Sequence, residues 1–510
     1  MDSELENAKA SKSNTTTVAS GTLYPENYDS LHRSEYRFPT QSGYTLSQAD
    51  YVRFRVFVHN RIGLDYTEDQ RSMLGYGLAN IMNLIGCANL DELYLRLSNT
   101  PTNHVLWDQV ISELTVGETY FFRNTSHFDT LARHILPPLV AERAQNNRRI
   151  RIWSAGCATG EEPYSIAILL KETILDLGRW NISILATDIN RHALKKAQAG
   201  RYSAWSFRGV DKRVQEKYFR REQDQYVISD DIKRMVDFDY LNLVADPFPS
   251  LTNHTNAMDV LMCRNVTIYF SEQITRSVVQ RFRECLVDGG WLIPGASEPN
   301  LLFYSDFQAR NFPGTVIYQK TTEKKTVPVR HATVPTVPSS KTASLDLYQQ
   351  AMDWLRAGHM DEALKKLNEK IIESPNFAPA FVALGKIHAN CGNLEEARRF
   401  CERAIQIDKL HPEPYYTLSL IYQQDGLPVQ AIDMLKKTIY LDRRFVLAHY
   451  NLAQMYVRQN EPVLARKSLQ NAQRLLEGEA RTVLVPEGDG LIVGRLLDLI
   501  ANQLAEVSES

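Results

Sequence analysis

Residues 150–170, IRIWSAGCATGEEPYSIAILL, constrain the fold more than any other part of this chain. An apolar strand runs directly into a glycine-bearing turn, and apolar residues at helical spacing follow the turn. Gly156 and Gly160 allow the backbone to approach a ligand closely, and Pro163 fits the first turn of a helix, where its missing N–H costs nothing. This succession predicts an α/β fold with a nucleotide-type cofactor site at the turn.

The chemistry of the turn narrows the choice of cofactor. A dinucleotide fold uses G-x-G-x-x-G to seat a pyrophosphate, whereas this turn reads G-C-A-T-G-E-E-P and places Glu161 and Glu162 at the helix start. Two carboxylates repel a pyrophosphate but suit a ligand that is cationic or rich in hydroxyls and amines. A second predicted strand, 182–186, is followed by Asp188, where such folds hold ribose hydroxyls. These features favour S-adenosylmethionine over NAD as the cofactor. The alternative is that the two glycines and the acidic residue belong to an ordinary strand-to-helix turn that binds no cofactor.

Two further segments, LTVGETYFFRN and VLMCRNVTIYF, flank the turn in sequence. With it they resemble the three signatures of the CheR-type methyltransferases, which esterify glutamate side chains of bacterial chemoreceptors. These signatures are a T-x-F-F-R run, an S-x-G-C-S-x-G-E-E-P-Y-S turn and an F-C-R-N-V-x-I-Y-F strand. They correspond here to Thr119–Arg123, Ser154–Ser165 and Met262–Phe270, and the resemblance covers roughly residues 45 to 320.

The resemblance implies roles for individual residues. Asp188 is expected at the ribose of S-adenosylmethionine, and Asn242 and Leu243 are expected beside the adenine. Nine positions match cofactor contacts and two match the residues that act at the transferring methyl group. The cofactor-binding positions are Thr119, Arg123, Gly156, Glu162, Asp188, Asn242, Leu243, Asn265 and Val266, and the catalytic positions are Arg123 and Tyr269. No metal site is expected.

Elementary chemistry makes the two catalytic assignments reasonable. A glutamate carboxylate is already ionised near neutral pH, because its ordinary pKa is about 4.3, so methyl transfer to it needs no strong base. The guanidinium of Arg123 can orient the carboxylate, and the hydroxyl of Tyr269 can point at the methyl group. The alternatives are a solvated arginine and a half-buried core tyrosine. Many family members carry Asn where this chain has Gly117, so one hydrogen bond to the cofactor is expected to be missing.

Composition indicates a cytoplasmic protein of two or three domains. The chain has 510 residues, too many for one core, and its net charge of −2 provides no basic field for nucleic acid. No apolar run approaches the length of a bilayer span, so membrane insertion is not expected. Six cysteines lack metal-ligand spacing and are interpreted as reduced thiols.

The N-terminal part divides into two segments. Residues 1–44 are rich in Ser, Thr and Asn and are predicted to be disordered, whereas residues 45–135 show helical periodicity and are predicted to form a helical subdomain. In the family such a subdomain faces the receptor, and one helix is usually dense in arginine. The corresponding segment here, QRSMLGYGLANIMNLIG, contains only Arg71, so recognition by a strongly basic helix is not expected.

Residues 136–320 are predicted to form the cofactor-binding domain, with a small β-subdomain inserted at about 203–238. This insert resembles the subdomain with which some family members hold a receptor's C-terminal tether. The segment 219–238 is shorter than in the tether-binding type, so tether-dependent docking is not expected, although an antiparallel edge remains for a partner strand. Glu298 is either a polar loop residue or part of the site wall.

A repeat follows the predicted linker at 321–343. Alanines recur every 34 residues, and small residues and turn formers recur in the same phase, which is the tetratricopeptide period. The alanines are Ala363, Ala397, Ala431 and Ala465. Four tetratricopeptide repeats are predicted at 344–478, and such arrays present a groove to a peptide or helix. The alternative is an array that only solubilises or dimerises the chain.

Residues 479–510 contain a PEGDG turn and an amphipathic helix at 491–507. The helix is predicted to cap the apolar end of the repeat solenoid. A detachable helix that occupies the groove and regulates binding is the alternative.

The predicted fold class is therefore a Rossmann-like α/β methyltransferase with an N-terminal helical subdomain and an inserted β-subdomain, followed by an all-α repeat solenoid. The implied function is transfer of a methyl group from S-adenosylmethionine to receptor glutamates, giving methyl esters and S-adenosylhomocysteine. Its partners would be a methyl-accepting chemoreceptor or related sensor and a ligand of the repeat groove. A non-catalytic scaffold acting through the repeats is the alternative function.

Overall fold

A computed structural model describes residues 46–100, 105–145, 147–299, 302–321, 347–356 and 359–509. The predicted disordered segment 1–44 and all but the first residue of the predicted linker 321–343 lie outside the described residues. Three parts follow one another along the chain: a helical domain, an α/β domain and a helical repeat array.

The part of the helical domain that the structure describes contains four α-helices that bury one apolar cluster. They are α1 (Gln48–Ile62), α2 (Arg71–Ile85), α3 (Leu90–Ser98) and α4 (Val105–Leu114). The predicted periodic residues lie inside, with Phe54, Leu74 and Leu78 completely buried. The side chain of Ser47 accepts a hydrogen bond from the N–H of Asp50 and caps α1. The helical subdomain is therefore confirmed.

Its predicted boundary at 135 is too late. The next helices, α5 (Thr125–Thr130) and α6 (Leu136–Ala144), are joined by a π-helical turn at Leu131–Ile135. Phe128 and Leu131 are buried in the core of the α/β domain rather than among α1 to α4. Helical periodicity identified these residues as helical, but it does not tell against which neighbour an apolar face packs.

The α/β domain is built on a seven-stranded sheet. Its strands are β1 (Arg149–Ala155), β2 (Asn181–Asp188), β6 (Val236–Tyr240), β7 (Met258–Cys263), β8 (Leu286–Pro294), β9 (Gln308–Phe312) and β10 (Thr315–Gln319). Their order is β6-β2-β1-β7-β8-β10-β9; neighbours among the first five strands pair in parallel, and β10 pairs antiparallel with both β8 and β9. The order reverses between β1 and β7, and the carboxyl ends of strands at such a switch point form a ligand crevice. The predicted Rossmann-like fold is confirmed.

Helices surround this sheet, and a second, smaller sheet lies beside it. The helices are α7 (Glu161–Thr173), α8 (Arg191–Ala199), α9 (Lys212–Tyr218), α10 (Asp230–Lys233) and α11 (Glu272–Cys285). The small sheet contains β3 (Arg201–Tyr202), β4 (Phe219–Glu222) and β5 (Gln225–Ile228), in the antiparallel order β3-β5-β4.

The predicted insert at 203–238 extends too far toward its C-terminal end. Val236 and Phe238 belong to the edge strand β6 of the central sheet, where they pair with Ile184 and Ala186 of β2. The ring of Phe238 lies 5.4 Å from that of Tyr164 on α7, which fixes the strand to the central core. A period-two pattern predicts a strand but does not say which sheet the strand joins.

Within the described ranges 347–356 and 359–509, the repeat array contains four helix pairs. They are α12 (Leu347–Arg356) with α13 (Met360–Glu373), α14 (Ala378–Asn390) with α15 (Leu394–Ile407), α16 (Glu413–Gln424) with α17 (Pro428–Leu441), and α18 (Val446–Arg458) with α19 (Pro462–Leu475). The second helices begin 34 residues apart, and their periodic alanines are completely buried. At Gly385 a Cβ would lie 2.7 Å from Cys401 Sγ, which shows how closely the paired helices approach. Gly358, one of the turn formers that recur every 34 residues, lies outside the described residues.

The C-terminal tail packs on the last repeat and returns to the α/β domain. Its helix, α20 (Val493–Glu509), lies on α19 and adds Leu496 and Ile500 to the repeat core. The turn at 484–490 lies against the first helices of the repeats, where Glu487 pairs with Lys386 of α14. Asp489 in the same turn accepts a hydrogen bond from Ser250 of the α/β domain at 2.7 Å.

Candidate cofactor and methyl-transfer site

One cavity opens at the carboxyl ends of β1, β2, β6 and β7, on both sides of the switch point. Ile62, Leu64 and Leu114 of the helical domain and the segment 115–117 that follows it complete the wall. All the predicted site residues line this cavity: Thr119, Arg123, Gly156, Glu162, Asp188, Asn242, Leu243, Asn265, Val266 and Tyr269. Gly117 lines it as well. Segments more than 100 residues apart in sequence thus meet where the topology places a ligand.

The conformation of the turn after β1 requires glycine at position 156. Gly156 has φ of +81°, and a Cβ at this position would lie 2.3 Å from a methyl carbon of Val266. Any side chain would therefore have to displace the loop after β7. The close approach of the two loops brings the ends of β1 and β7 to one side of the cavity.

Asp188, at the end of β2, is fixed by backbone donors. Its carboxylate accepts hydrogen bonds from the N–H groups of Ala158 at 2.8 Å and Asn190 at 2.7 Å. Burial raises the pKa of Asp188, and these backbone hydrogen bonds oppose that shift. The side chain is thus a pre-positioned acceptor that faces the cavity and suits ligand hydroxyls.

Glu162, at the start of α7, is largely buried, with 13% of its side chain exposed, and has two partners. Ser154 donates to its carboxylate at 2.7 Å, and a guanidinium nitrogen of Arg264 lies 3.2 Å away. Burial raises the pKa of Glu162, and the charge of Arg264 acts against this shift. A cationic ligand in the cavity would also favour the ionised carboxylate.

Glu298 organises the loop after β7, a role that the sequence left open. The side chain of Glu298 is buried, and its carboxylate accepts hydrogen bonds from two neighbouring loops. It accepts hydrogen bonds from the N–H groups of Gly295, Asn265, Val266 and Thr267 at 2.6 to 3.0 Å and from the Thr267 hydroxyl at 2.8 Å. Glu298 lies behind the cavity wall and sets the backbone path of two predicted site residues.

Arg264 is the second residue whose role the sequence analysis did not identify. Its guanidinium pairs with Glu162 and donates to the side chain of Asn124 at 3.0 Å and to the carbonyl oxygen of Arg123. It therefore joins the three signature segments: the T-x-F-F-R run, the G-E-E-P turn and the C-R-N-V strand. The available signal was an arginine placed directly after the apolar run at 260–263.

Asn265 supplies an acceptor that the chain itself leaves unused. Its side-chain oxygen is buried, and no described residue donates a hydrogen bond to it. A buried acceptor without a donor is costly unless a ligand satisfies it. With the carboxylates of Glu162 and Asp188 on the same cavity, the arrangement suits the amino, hydroxyl and sulfonium groups of S-adenosylmethionine.

Arg123 and Tyr269 both line the cavity at the side formed with the helical domain. Arg123 donates one hydrogen bond to the carbonyl oxygen of Glu118 at 2.6 Å. Burial raises the pKa of Tyr269, and the positive charge of Arg123 acts in the opposite direction. Asp65 of the helical domain donates its N–H to the carbonyl oxygen of Tyr269 at 2.8 Å, which fixes this tyrosine at the domain junction.

The loop that carries Asn242 and Leu243 is closed by hydrogen bonds. The N–H of Asn242 donates to the carboxylate of Asp246 at 2.7 Å, and the N–H of Asp246 donates to the carbonyl oxygen of Asn242 at 2.9 Å. Arg281 donates to the carbonyl oxygen of Leu243 at 3.0 Å. These bonds present the backbone of both predicted adenine-side residues to the cavity.

The described residues contain no group of three or more His, Cys, Asp or Glu side chains placed to hold a metal ion. The six cysteines form no disulfide in the structure. Within the described ranges, no helix combines the length and apolar character needed to cross a bilayer.

Comparisons with known proteins agree with this geometry. Residues 117–312 match the family described as CheR methyltransferase, SAM binding domain, and residues 49–115 match CheR methyltransferase, all-alpha domain. Residues 378–409 match the tetratricopeptide repeat. The family boundary near residue 116 agrees with the packing of α5 and α6 on the α/β core.

Three relatives illustrate the range of similarity. The chemotaxis protein methyltransferase of Borreliella burgdorferi is 33% identical over 257 residues, which are 50% of this chain and 89% of that protein. Chemotaxis protein methyltransferase 1 of Pseudomonas aeruginosa is 33% identical over 257 residues, covering 49% and 90%. The probable biofilm formation methyltransferase WspC of the same organism is 26% identical over 427 residues, covering 83% and 98%. The alignment with WspC, at 427 residues, is longer than the helical and α/β domains together, which span residues 46–320.

Proposed function

Because this chain belongs to the CheR family of S-adenosylmethionine-dependent protein-glutamate methyltransferases, we propose that it methylates glutamate side chains of a methyl-accepting chemoreceptor or related sensor. The products are glutamate methyl esters and S-adenosylhomocysteine, and the reaction serves sensory adaptation. The observation that carries the proposal is the convergence of Arg123 and Tyr269 on one cavity with Glu162, Asp188 and the unpartnered oxygen of Asn265.

In this proposal, the cofactor-binding residues contact different parts of S-adenosylmethionine. Asp188 accepts from the ribose hydroxyls, Asn242 and Leu243 flank the adenine, and Glu162 and Asn265 lie toward the methionine part. Thr119 and Val266 complete the wall. When bound, S-adenosylmethionine supplies the methyl group that becomes the ester methyl.

Arg123 and Tyr269 act on the substrate side. One N–H of Arg123 is occupied by the carbonyl oxygen of Glu118, which orients the guanidinium, and the others can pair with the incoming carboxylate. The carboxylate is the nucleophile in its ordinary ionised form, so the site needs no general base. The raised pKa of Tyr269 keeps its hydroxyl protonated as a hydrogen-bond group. Positioning rather than proton transfer supplies the rate enhancement.

The rim of the cavity favours a substrate helix that is not recognised by a strongly basic face. Ile268 and Val116 at the rim are 49% and 37% exposed, and Glu118 is paired with Arg208 at 2.9 Å. Arg71, the basic residue of α2, is already engaged with the carbonyl oxygen of Leu46. We therefore propose that the sensor is recognised by the apolar side chains and paired polar groups around the mouth of the cavity.

We assign the repeats to partner binding or regulation, and the protein to the cytoplasm, where the methylated part of such a sensor lies. A peptide or helix that used the first helices of the repeats would have to displace the chain's own residues, since the turn at 484–490 contacts that face. The small antiparallel sheet leaves β4 at an edge, which remains available to a partner strand but is short.

Labelled methyl transfer into membranes that carry the organism's own chemoreceptors tests the function. Base-labile methanol release, the mark of a carboxyl ester, is compared for the intact chain and for Arg123→Ala, Arg123→Lys and Arg133→Ala. We expect Arg123→Ala to lower release at least about 100-fold, and Arg123→Lys to recover only part of it, because lysine lacks the planar fork. Arg133 is 57% exposed and serves as the matched control.

Cofactor binding is measured on the same preparations. Binding of S-adenosylhomocysteine with no methanol release from any receptor would contradict the proposed substrate and support the non-catalytic scaffold. Release that is equal in the wild type and in Arg123→Ala would keep the enzyme but remove Arg123 from the catalytic site.

A further inference from the structure

We propose that Arg495, in the helix that follows the repeats, is a positioning residue for S-adenosylmethionine. It lies outside the segments matched to the two methyltransferase domains, yet it holds the loop that forms one side of the cofactor cavity. The inference rests on the proposed placement of the adenine beside Asn242 and Leu243.

Arg495 reaches from α20 into the α/β domain. Its side chain is 11% exposed, and it forms an ion pair with the carboxylate of Asp246 and donates to the carbonyl oxygen of Tyr240. Its guanidinium also lies 4.6 Å from the ring centroid of Tyr240. The contacts with Tyr240 and Asp246 span the loop at 240–246, and the cavity-lining residues Asn242 and Leu243 lie between these contacts.

Asp246 transmits the contact to the cavity. The same carboxylate that pairs with Arg495 accepts the N–H of Asn242 at 2.7 Å. Removal of the guanidinium would leave a largely buried carboxylate whose remaining charge must be satisfied by local rearrangement. The backbone of Asn242 is the nearest group that such a rearrangement would move.

Tyr240 is held from a second direction by Arg191 of α8, which links it to the helical domain. The guanidinium of Arg191 lies 4.0 Å from its ring centroid, and Arg191 pairs with Asp108 of α4 at 3.2 Å. The loop is therefore placed by residues from all three parts of the chain. Two of these supports, Arg191 and Arg495, are cations that contact one aromatic ring.

The repeat array fixes the position of α20 relative to this loop. Leu496 and Ile500 of α20 are completely buried in the repeat core. Separately, Asn256 of the α/β domain donates to the carbonyl oxygen of Ala389 at 3.0 Å and accepts from Gln424 at 2.9 Å. Arg495 therefore enters the loop from a rigid support, which is the condition for a side chain to position a site.

The proposal predicts coupling between cofactor binding and docking of α20. Binding free energies are reciprocal, so a contact that improves cofactor affinity must be strengthened when the cofactor is bound. The repeats would then influence the cofactor site through α20, and any partner that loosens α20 would lower cofactor affinity.

The test measures the dissociation constant of S-adenosylmethionine and steady-state methyl transfer for the full-length chain and its variants Arg495→Ala, Arg495→Lys and Arg466→Ala. Arg466 is the matched control, because it donates to the carbonyl oxygen of Val507 and supports α20 without touching the loop at 240–246. We expect about a tenfold weaker affinity and a higher KM for the cofactor in Arg495→Ala, with kcat within about twofold of wild type. Arg495→Lys should recover part of the affinity and Arg466→Ala should equal wild type.

A second arm uses the wild-type chain alone and does not depend on the folding of a variant. Hydrogen exchange of residues 493–500 is followed with and without S-adenosylhomocysteine, and we expect slower exchange with the ligand. Unchanged exchange, equal affinity in Arg495→Ala, or a fall in kcat with unchanged KM would each overturn the proposal. If the wild type itself binds no cofactor, the proposed function and this proposal fail together. If the wild type binds the cofactor and Arg495→Ala binds it equally well, only this proposal fails.

Discussion

The cofactor cavity and the face of the repeats that holds the turn at 484–490 differ in how their buried polar groups are satisfied. At the cavity, Glu298 and Asp188 hold loop backbone in place, but the side-chain oxygen of Asn265 has no donor among the described residues. At the repeat face, the ammonium of Lys386 lies between two carboxylates, Glu413 at 2.5 Å and Glu487. One region is shaped for a molecule from outside, whereas the chain fills the other region with its own charges.

Removal of Glu298 should have the largest effect. Glu298→Ala leaves four backbone N–H groups and one hydroxyl without their acceptor, and each buried unsatisfied group costs about 1 to 3 kcal/mol. We expect the free energy of unfolding of the α/β domain to fall by at least about 3 kcal/mol in denaturant titrations. Glu298→Gln keeps one acceptor oxygen and should lose less. Equal stability of Glu298→Ala and wild type would show that the loop after β7 does not depend on this carboxylate.

Removal of Lys386 tests the other side of the comparison. Lys386→Met leaves Glu413 and Glu487 facing each other without a cation, and we expect a loss of about 2 to 3 kcal/mol in stability. Hydrogen exchange of the turn at 484–490 should become faster. Arg399→Ala is the control, since Arg399 forms an exposed pair with Glu396 on α15. Unchanged exchange in Lys386→Met would mean that the turn is held by its other contacts, such as the one between Asp489 and Ser250.

Acid should destabilise the α/β domain through His127, a buried residue near Arg264 of the cavity wall. Burial lowers the pKa of His127 to about 3, and the charge of Arg264 acts in the same direction. In the unfolded chain this histidine titrates near 6.5, so between about pH 6.5 and 3 the unfolded state binds a proton that the folded state does not. The free energy of unfolding is therefore highest above about pH 6.5 and decreases as the pH falls toward 3. Between pH 7 and 5 we expect a loss of about 2 kcal/mol, which His127→Gln should largely abolish in pH-dependent denaturation. A pH dependence that is identical in the two proteins would contradict the assignment to His127.

The smallest expected effect concerns Gly117. A Cβ at this position meets nothing within 4 Å, so an asparagine can be accommodated at the cavity wall. Gly117→Asn should restore the hydrogen bond that relatives of the family commonly make and strengthen cofactor binding by about 1 kcal/mol, roughly fivefold in the dissociation constant. Gly117→Ala, which adds no donor, is the control. Equal affinity in all three proteins would show that the missing side chain is of no consequence here.

The sequence determined the parts of this protein that depend on local pattern. The strand, glycine turn and helix at 150–170 predicted the α/β fold, and the 34-residue recurrence of small residues predicted the repeats, because close backbone approach is possible only at small side chains. The three signatures also identified residues that line one cavity, since their spacing follows the parallel strands that bring them together.

Tertiary structure decided what depends on contacts between distant segments. The same strand pattern suits either sheet, so only pairing with Ile184 and Ala186 shows that Val236 and Phe238 belong to the central one. The role of Glu298 depends on a loop 33 residues earlier, and that of Arg495 on a loop about 250 residues earlier. Charged side chains carry no periodic signal that would reveal such partners, because their hydrogen bonds are set by the packed arrangement of whole domains.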